Sequence, residues 1–293
     1  MTAPVISAPA GRAFAGSGPD HKARFLSRLE RAPAVLVRVV ATQGSAPREA
    51  GTWMAVFADV FIGTIGGGHL EYEALEKARD LLAAVLPGDD PVEITVRFAL
   101  GPSLGQCCGG VVHLGFSAVS EKDIPRLRLD LAQTLLPVAL FGGGHVGHAL
   151  VEVLSRLPFA LRWVDSRDGV FPGPDRLPPG VATETSEPVH GAVRGLAPGS
   201  RVLIMSFSHA EDLDIVAACL LRQRQAADLP FVGLIGSMTK WATFRHRLLA
   251  RGFSEAELGH VTCPIGIDGI NGKEPEVIAV AVAAQLLQSV YAA

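Results

Sequence analysis

Two adjacent cysteines in a glycine-rich turn are the residues of this sequence most suited to chemistry. Cys107 and Cys108 follow Gln106 in the segment LGPSLGQCCGG. Glycines let backbone N–H groups converge on an anion, and such amides favour a thiolate. Thiolates suit a soft metal or a sulfur-containing cofactor, and the Gln106 amide can pair with a heterocycle edge. The turn is a candidate cofactor site; the alternative is two small buried residues before a strand.

The cysteine spacing does not indicate zinc. Adjacent cysteines differ from the C-x-x-C pattern of structural zinc sites, and no second pair completes four ligands. Cys219 is on an apolar helical face and is predicted to lie in the core. Cys263 begins the segment CPIGID, a loop expected to border a ligand crevice, although one cysteine is weak evidence.

A second glycine turn, GGGHVG at residues 142–147, has the G-x-G-x-x-G pattern of a phosphate-binding turn. It follows an apolar strand and opens an apolar helix, which is the context that this fingerprint requires. Gly142 allows a tight turn, Gly144 allows close approach of a phosphate, and Gly147 allows close packing of helix on strand. The helix N-terminus then favours an anion, so we expect a nucleotide-like ligand here.

Two further residues accompany this turn. Asp165 ends the next strand at the spacing typical of a carboxylate that binds ribose hydroxyls, and Arg167 is an alternative contact for a phosphate. His145 stands at the helix start, where the dipole favours a neutral imidazole that can donate a hydrogen bond. The alternatives are a turn used only for packing, an ordinary strand-end Asp165, and a His145 that caps or packs.

A third glycine turn, TIGGGHLE at residues 64–71, repeats the pattern of a turn that leads into a helix. It is either a second anion site or a turn that requires positive φ angles.

The elements around these turns indicate two domains. Strands are predicted at residues 34–42, 52–57, 92–100 and 111–116, and a helix at 71–86. This first part is an α+β domain at residues 21–119. Residues 120–136 are amphipathic and are predicted to form a linker helix between the domains.

The second domain, residues 137–293, alternates strands and helices. Strands are expected at residues 138–141, 160–164, 202–206 and 231–235, and helices at 146–155, 212–225, 239–250 and 277–290. Such alternation predicts a Rossmann-like parallel sheet covered by helices. The overall class is therefore α/β, an α+β domain followed by a Rossmann-like domain. Residues 168–200 lack a sustained period and are functional, disordered or misread.

Composition excludes several classes of protein. The formal charge of −3 and the absence of a Lys/Arg run argue against nucleic acid. No apolar stretch is long enough to cross a bilayer, so no membrane partner is expected. Residues 1–20 lack the features of a secretory signal and are predicted to be a disordered tail. Few cysteines and no disulfide framework favour a cytoplasmic protein.

Taken together, the sequence resembles the XdhC and CoxI family of bacterial accessory proteins. The resemblance rests on five segments: ATQGSAPR at residues 41–48, GTIGGG at 63–68, LGQCCGG at 104–110, GGGHVG at 142–147 and CPIG at 263–266. Their order spans nearly all of the chain after the tail.

The resemblance implies a chaperone that binds molybdenum cofactor (Mo-molybdopterin), protects it during sulfuration and inserts it into apo-xanthine dehydrogenase. It further implies a cysteine desulfurase as sulfur donor, a homodimer and no catalysis of its own. The cofactor-binding residues carried over are Gln106, Cys107, Cys108, Gly142, Gly144 and Gly147. From the residues alone, an NAD(P)-dependent oxidoreductase and a scaffold that joins dehydrogenase to desulfurase stay open as alternatives.

Overall fold

The chain divides into two compact units, residues 1–134 and 135–293. The computed structural model describes residues 19–84, 93–101, 109–131 and 135–291. Within these ranges, no helix has the length and apolar character needed to cross a membrane.

The first unit is built on an antiparallel sheet. Its elements are α1 (Pro19–Leu29), β1 (Ala34–Gln43), β2 (Trp53–Val56), β3 (Phe61–Gly63), α2 (Gly68–Ala84), β4 (Glu93–Ala99), β5 (Val111–Val119) and α3 (Ile124–Asp130). The strand order is β3-β2-β1-β5-β4, and every pairing is antiparallel. The predicted α+β organisation of this part is confirmed. Helix α1 begins at Pro19, inside the segment that the sequence predicts as a tail.

Helices cover both faces of this sheet. Val35 and Val37 of β1 share a buried cluster with Leu70 of α2, whereas Leu36 shares another with Phe25 of α1. Successive side chains of a strand point to opposite faces, so both faces of β1 are apolar. The first half of this strand therefore reads as a continuous apolar run.

The segment 120–136, predicted as one linker helix, is divided differently in the structure. A 3₁₀ turn, Glu121–Asp123, leads into α3, and Leu136 already belongs to the next strand. Ile124 and Leu127 of α3 are buried in the same cluster as Phe25. Helix α3 thus belongs to the core of the first unit, because its apolar face packs on the antiparallel sheet.

The second unit is built on a parallel sheet. Its elements are β6 (Leu136–Phe141), α4 (His145–Leu154), β7 (Phe159–Asp165), β8 (Val181–Thr185), β9 (Arg201–Ile204), α5 (His209–Ala226), β10 (Phe231–Leu234), α6 (Met238–Ala250), α7 (Glu255–Leu258), β11 (Val261–Thr262) and α8 (Pro275–Tyr291). The order β11-β10-β9-β6-β7-β8, with all pairings parallel, confirms the predicted Rossmann-like domain.

Both faces of this sheet are buried too. Ala139 and Phe141 of β6 lie in a cluster with α5 and α6, whereas Val138 and Leu140 lie in a cluster with α4 and α8. The winding reverses between β6 and β9, where helices pass to opposite faces. In open sheets of this type, ligands bind outside the carboxyl ends of the strands at this reversal.

The segment 168–200 is not one irregular loop. It contains the edge strand β8 and two 3₁₀ segments, Pro174–Arg176 and Val189–Gly195. Strand β8 was missed because none of its five residues is fully buried, so it lacks the apolar run of an inner strand. Of the three alternatives given for residues 168–200, the structure supports the third, that the sequence pattern hides regular secondary structure.

Candidate functional site

The turn at residues 142–147 lies at the reversal point, between β6 and α4. Gly142 has a φ of +126°, and a Cβ there would lie 2.0 Å from the carbonyl oxygen of Met205. A Cβ on Gly147 would lie 2.1 Å from the carbonyl oxygen of Gly142. These two glycines are needed because backbone approaches backbone, and they bring the turn against the loop after β9.

Gly144 serves a different purpose in the same turn. It is the N-cap residue of α4, it is exposed, and a Cβ there would have no neighbour within 4 Å. The amides of the first turn of α4 have no acceptor within the helix, so they favour an anion. His145 is exposed at the first position of this helix. The open side of the turn is therefore compatible with the predicted phosphate contact, which stays a prediction.

Asp165, at the end of β7, binds the turn itself. Its Oδ2 accepts a hydrogen bond from the N–H of Gly143 at 2.6 Å. Arg167 donates from its backbone N–H and Nε to Oδ1, both at 2.9 Å, and from Nη2 to Oδ2 at 3.0 Å. The Asp165 side chain is only 1% exposed. The structure thus shows that Asp165 holds the turn and Arg167 against β7. The contact with a ribose that the sequence predicts for it stays a prediction.

The pKa of Asp165 reflects these contacts. Burial alone would raise it, but hydrogen bonds from the Arg167 side chain and from the N–H groups of Gly143 and Arg167 outweigh burial and hold the pKa below its usual value. The carboxylate is therefore ionised at neutral pH, and Arg167 is held as its partner.

This pKa shift predicts a pH dependence of stability. A depressed folded-state pKa stabilises the fold above the unfolded value of about 3.9, and the contribution is lost as pH falls through the folded-state pKa. We expect Asp165→Asn to flatten the decline of the unfolding free energy below about pH 4, as measured by urea unfolding at several pH values. Asp168→Asn, at an exposed neighbour, is the control. Equal slopes for wild type and Asp165→Asn would contradict the prediction.

Two aromatic side chains, Trp163 and His148, pack beneath the turn in the second unit: Trp163 binds the turn and His148 packs against Trp163. The indole Nε1 of Trp163 donates to the carbonyl oxygen of Gly142 at 2.8 Å in a buried hydrogen bond. The His148 ring packs edge-on against Trp163, at 4.7 Å between centroids, and its Nε2 lies 3.2 Å from the Val170 carbonyl oxygen. The sequence pattern indicates His145, but His148 is the histidine that packs against Trp163, the residue that binds the Gly142 carbonyl.

A buried polar cluster, which sequence reasoning missed, lies at the carboxyl ends of β9 and β10. Asp212 Oδ1 accepts from the N–H and the hydroxyl of Ser206, at 2.8 and 2.7 Å. Its Oδ2 accepts from Lys240 Nζ at 2.6 Å, and Nζ also donates to the Ile235 carbonyl at 2.8 Å. We call Ser206, Asp212 and Lys240 the Asp212 cluster. It fixes the start of the loop that follows β9.

Cys263 follows β11 near this cluster. Burial raises the pKa of its thiol to about 11, so it is protonated at neutral pH. Cys219 lies in the core as predicted, and burial raises its pKa to about 12. In the described ranges, no three His, Cys, Asp or Glu side chains are grouped as a metal site.

The turn at residues 64–71 in the first unit is closed by its own carboxylate. Glu71 Oε2 accepts from the Thr64 hydroxyl at 2.5 Å and from the N–H groups of Ile65 and Gly67 at 3.0 and 3.1 Å. Residues 66–68 have positive φ angles. Of the two alternatives, the structure therefore supports the turn that requires positive φ, because Glu71 takes the place of an external anion.

The cysteine turn connects β4 to β5, and Gln106, Cys107 and Cys108 lie outside the described residues. The N–H of Leu100 donates to the carbonyl oxygen of Gly110 at 2.8 Å, which closes the base of the turn.

Gly110 also brings a second motif close. A Cβ on Gly110 would lie 2.3 Å from the Ser45 carbonyl oxygen, and a Cβ on Gly66 would lie 2.8 Å from Pro47. Three glycine-containing segments thus converge in the first unit: residues 41–48, residues 63–68 and the end of the cysteine turn. Arg48 is exposed beside Gly66. In the sequence, Arg48 is indicated by its position at the end of the segment at residues 41–48.

Comparison with known families decides what these motifs represent. A model of the XdhC Rossmann domain matches residues 138–286, just over half of the chain, and a model of the XdhC and CoxI family matches residues 27–94. The chain belongs to the XdhC and CoxI family. Four of the five motif segments of this family member fall inside the matched ranges, and the cysteine turn falls between them.

Two individual proteins are similar to this family member. The uncharacterized protein YqeB of Escherichia coli K12 is 26% identical over 263 residues, which are 88% of this chain but 44% of YqeB. The chain thus spans less than half the length of that relative. The crystal structure of a xanthine dehydrogenase from Bacillus halodurans has a TM-score of 0.72 at 19% identity, and the match covers 92% of this chain and 96% of that one. This similarity shows the shared fold.

Proposed function

We propose that the chain is a maturation factor that binds molybdenum cofactor, holds it while a sulfido ligand is installed, and inserts it into apo-xanthine dehydrogenase. Membership of the XdhC and CoxI family supports the maturation role. The observation that carries the cofactor proposal is the convergence of residues 41–48 and 63–68 with Gly110, two positions after Cys108.

The donor chemistry of this region fits such a cargo. Cys107 and Cys108 provide soft sulfur ligands, which suit a metal–sulfur group better than oxygen donors do. Arg48 is exposed beside Gly66, and a guanidinium pairs well with phosphate. Gln106 adds an amide that can both donate and accept hydrogen bonds. The chain would bind and orient the cargo, and no catalytic step by its own residues is proposed.

The partners follow from this role. We propose a cysteine desulfurase as the sulfur donor and apo-xanthine dehydrogenase as the acceptor. A homodimer is part of the same proposal, supported by the apolar helix α8, on which Val280 is 53% exposed. Because free thiols need a reducing compartment, the cytoplasm is the proposed place of action.

A cofactor titration tests the proposal. Purified protein is mixed with molybdenum cofactor released from xanthine dehydrogenase, and bound molybdenum is measured after gel filtration. We expect one equivalent per chain. Outer-shell partners alone change metal affinity about 10- to 100-fold, so Cys107→Ala together with Cys108→Ala should weaken binding at least about 10-fold. The control is Cys219→Ala, which removes a thiol buried in the core of the other unit. No stoichiometric binding, or equal binding by the double variant, would refute the cofactor role.

An NAD(P)-dependent oxidoreductase is the second candidate, favoured by the open side of the turn at Gly144. We further propose that this turn, in the second unit, contacts the phosphate of a pterin or nucleotide ligand. Saturable NAD(P) binding with turnover of a substrate would support the oxidoreductase instead.

A further inference from the structure

Phe207 is a large apolar side chain held in an exposed position at the reversal point of the parallel sheet. It lies in the loop between β9 and α5 and is 67% exposed. The Arg167 guanidinium covers one side of the ring, with Cζ 4.4 Å from the ring centroid. An aromatic ring exposed to this extent contributes little to the stability of the fold, so its position favours a function in binding.

The residues before and after Phe207 in the sequence are both fixed by hydrogen bonds. Ser206, before it, is bound through its N–H and hydroxyl to Asp212. Ser208, after it, caps α5 by accepting from the N–H of Glu211 at 3.2 Å. Arg167 is itself held by Asp165. Loop and guanidinium are therefore preorganised, which reduces the entropy lost on binding.

The position of the ring joins it to the glycine turn. Phe207 follows Met205 by two residues, and the Met205 carbonyl oxygen abuts Gly142. Arg167 connects the two sides, because it covers Phe207 and binds the carboxylate that holds Gly143. The aromatic ring and the turn therefore belong to one carboxyl-edge surface.

From these contacts we propose that Phe207, backed by Arg167, is the stacking surface for the fused-ring heterocycle of a phosphorylated ligand. A purine nucleotide and a pterin phosphate share this chemistry. Aromatic rings and guanidinium groups both stack on planar heterocycles, and a stacked base is worth about 1–3 kcal/mol when the ring is removed. The inference rests on the proposed phosphate contact of the turn and names the group that selects the ligand.

Calorimetric titration of the full chain with three probes tests the proposal. AMP represents the purine source, released molybdenum cofactor the pterin source, and ribose 5-phosphate carries a phosphate without a heterocycle. Phe207→Ala should weaken binding of at least one ring-bearing probe by roughly 5- to 150-fold, and ribose 5-phosphate should be unaffected. The probe that loses affinity identifies the source.

Variants separate stacking from other effects. Phe207→Trp keeps a stacking surface and should retain binding, whereas Phe207→Leu keeps only apolar character and should behave like Phe207→Ala. Leu221→Ala removes an exposed apolar side chain of the following helix, α5, and should bind like wild type. The large exposure of Phe207 makes loss of the fold by truncation a minor concern.

Several results would overturn the proposal. These are failure of both ring-bearing probes to bind wild type, equal affinities for wild type and Phe207→Ala, or full binding by Phe207→Leu. If only transfer to apo-xanthine dehydrogenase falls in Phe207→Ala, the ring contacts a partner protein and the stacking role is refuted. The cysteine double variant is measured separately. If it loses cofactor binding while Phe207→Ala keeps the wild-type affinity for both AMP and the cofactor, this inference is refuted and the proposed function stands.

Discussion

Replacing Asp212 by alanine is expected to lower the free energy of unfolding by about 3–5 kcal/mol, the usual cost of breaking a buried ion pair by removing one partner. The Asp212 side chain is 3% exposed and that of Lys240 10%. Without the carboxylate, the Lys240 ammonium would keep the Ile235 carbonyl as its described hydrogen-bond acceptor, with the Phe244 ring 5.4 Å from Nζ, but no negative charge. The N–H and hydroxyl of Ser206 would lose the acceptor Oδ1 as well. Urea unfolding followed by tryptophan fluorescence measures the change.

The same helix provides a matched control. Asp214, also on α5, pairs with Arg251 at 2.7 Å, but the side chains are 43% and 45% exposed. An exposed pair is worth about 0–1 kcal/mol, so Asp214→Ala should have a small effect. Adding Lys240→Met to Asp212→Ala should recover part of the loss, because no buried charge is then left alone. Equal costs for Asp212→Ala and Asp214→Ala would show that the Asp212 cluster does not hold the loop.

The Asp212 cluster also shows which contacts a sequence hides. Asp212 and Lys240 are 28 positions apart, in different helices and in no common motif. They meet because β9 and β10 are neighbours in a parallel sheet, so both following loops reach the same edge. Alternation of strands and helices predicts such a sheet, but it does not give the strand order that pairs these two residues.

The glycine turn could be predicted because its information is local. Strand, turn and helix follow one another within β6 to α4, and the positive φ angle of Gly142 requires glycine. The partners of Asp165 were not predictable in the same way. Its type and position were predicted, but its hydrogen bonds with the N–H of Gly143 and the guanidinium of Arg167 were not.

The first unit repeats this lesson in a second turn. The sequence places Glu71 at the end of a glycine segment that leads into a helix, and in the structure its carboxylate closes that segment. A glycine turn before a helix creates a demand for a negative charge, and the sequence alone does not say whether a ligand or a side chain meets it. The turn at residues 142–147 differs, because Asp165 holds the N–H of Gly143 while the side at Gly144 stays open.

Gly147→Ala is expected to cost about 2–4 kcal/mol of unfolding free energy, because extra atoms in a closely packed site force the backbone apart. The added Cβ would lie 2.1 Å from the Gly142 carbonyl oxygen, and that oxygen already accepts the buried hydrogen bond from Trp163. Neither group can move alone: a shift of α4 would disturb its packing with α8, and a shift of Gly142 would break the indole contact. Urea unfolding measures the loss.

Gly144→Ala is the control for this prediction, because it adds the same methyl group to the same turn. A Cβ on Gly144 has no neighbour within 4 Å, and its φ of −84° suits alanine. Only the weaker capping by alanine remains, a cost of at most about 1 kcal/mol. If Gly144 faces a phosphate, however, its methyl group should weaken ligand binding while stability is nearly kept. Gly147→Ala should instead lower the unfolding free energy as its main effect. The pair of variants therefore separates the packing role of this turn from its proposed role in binding.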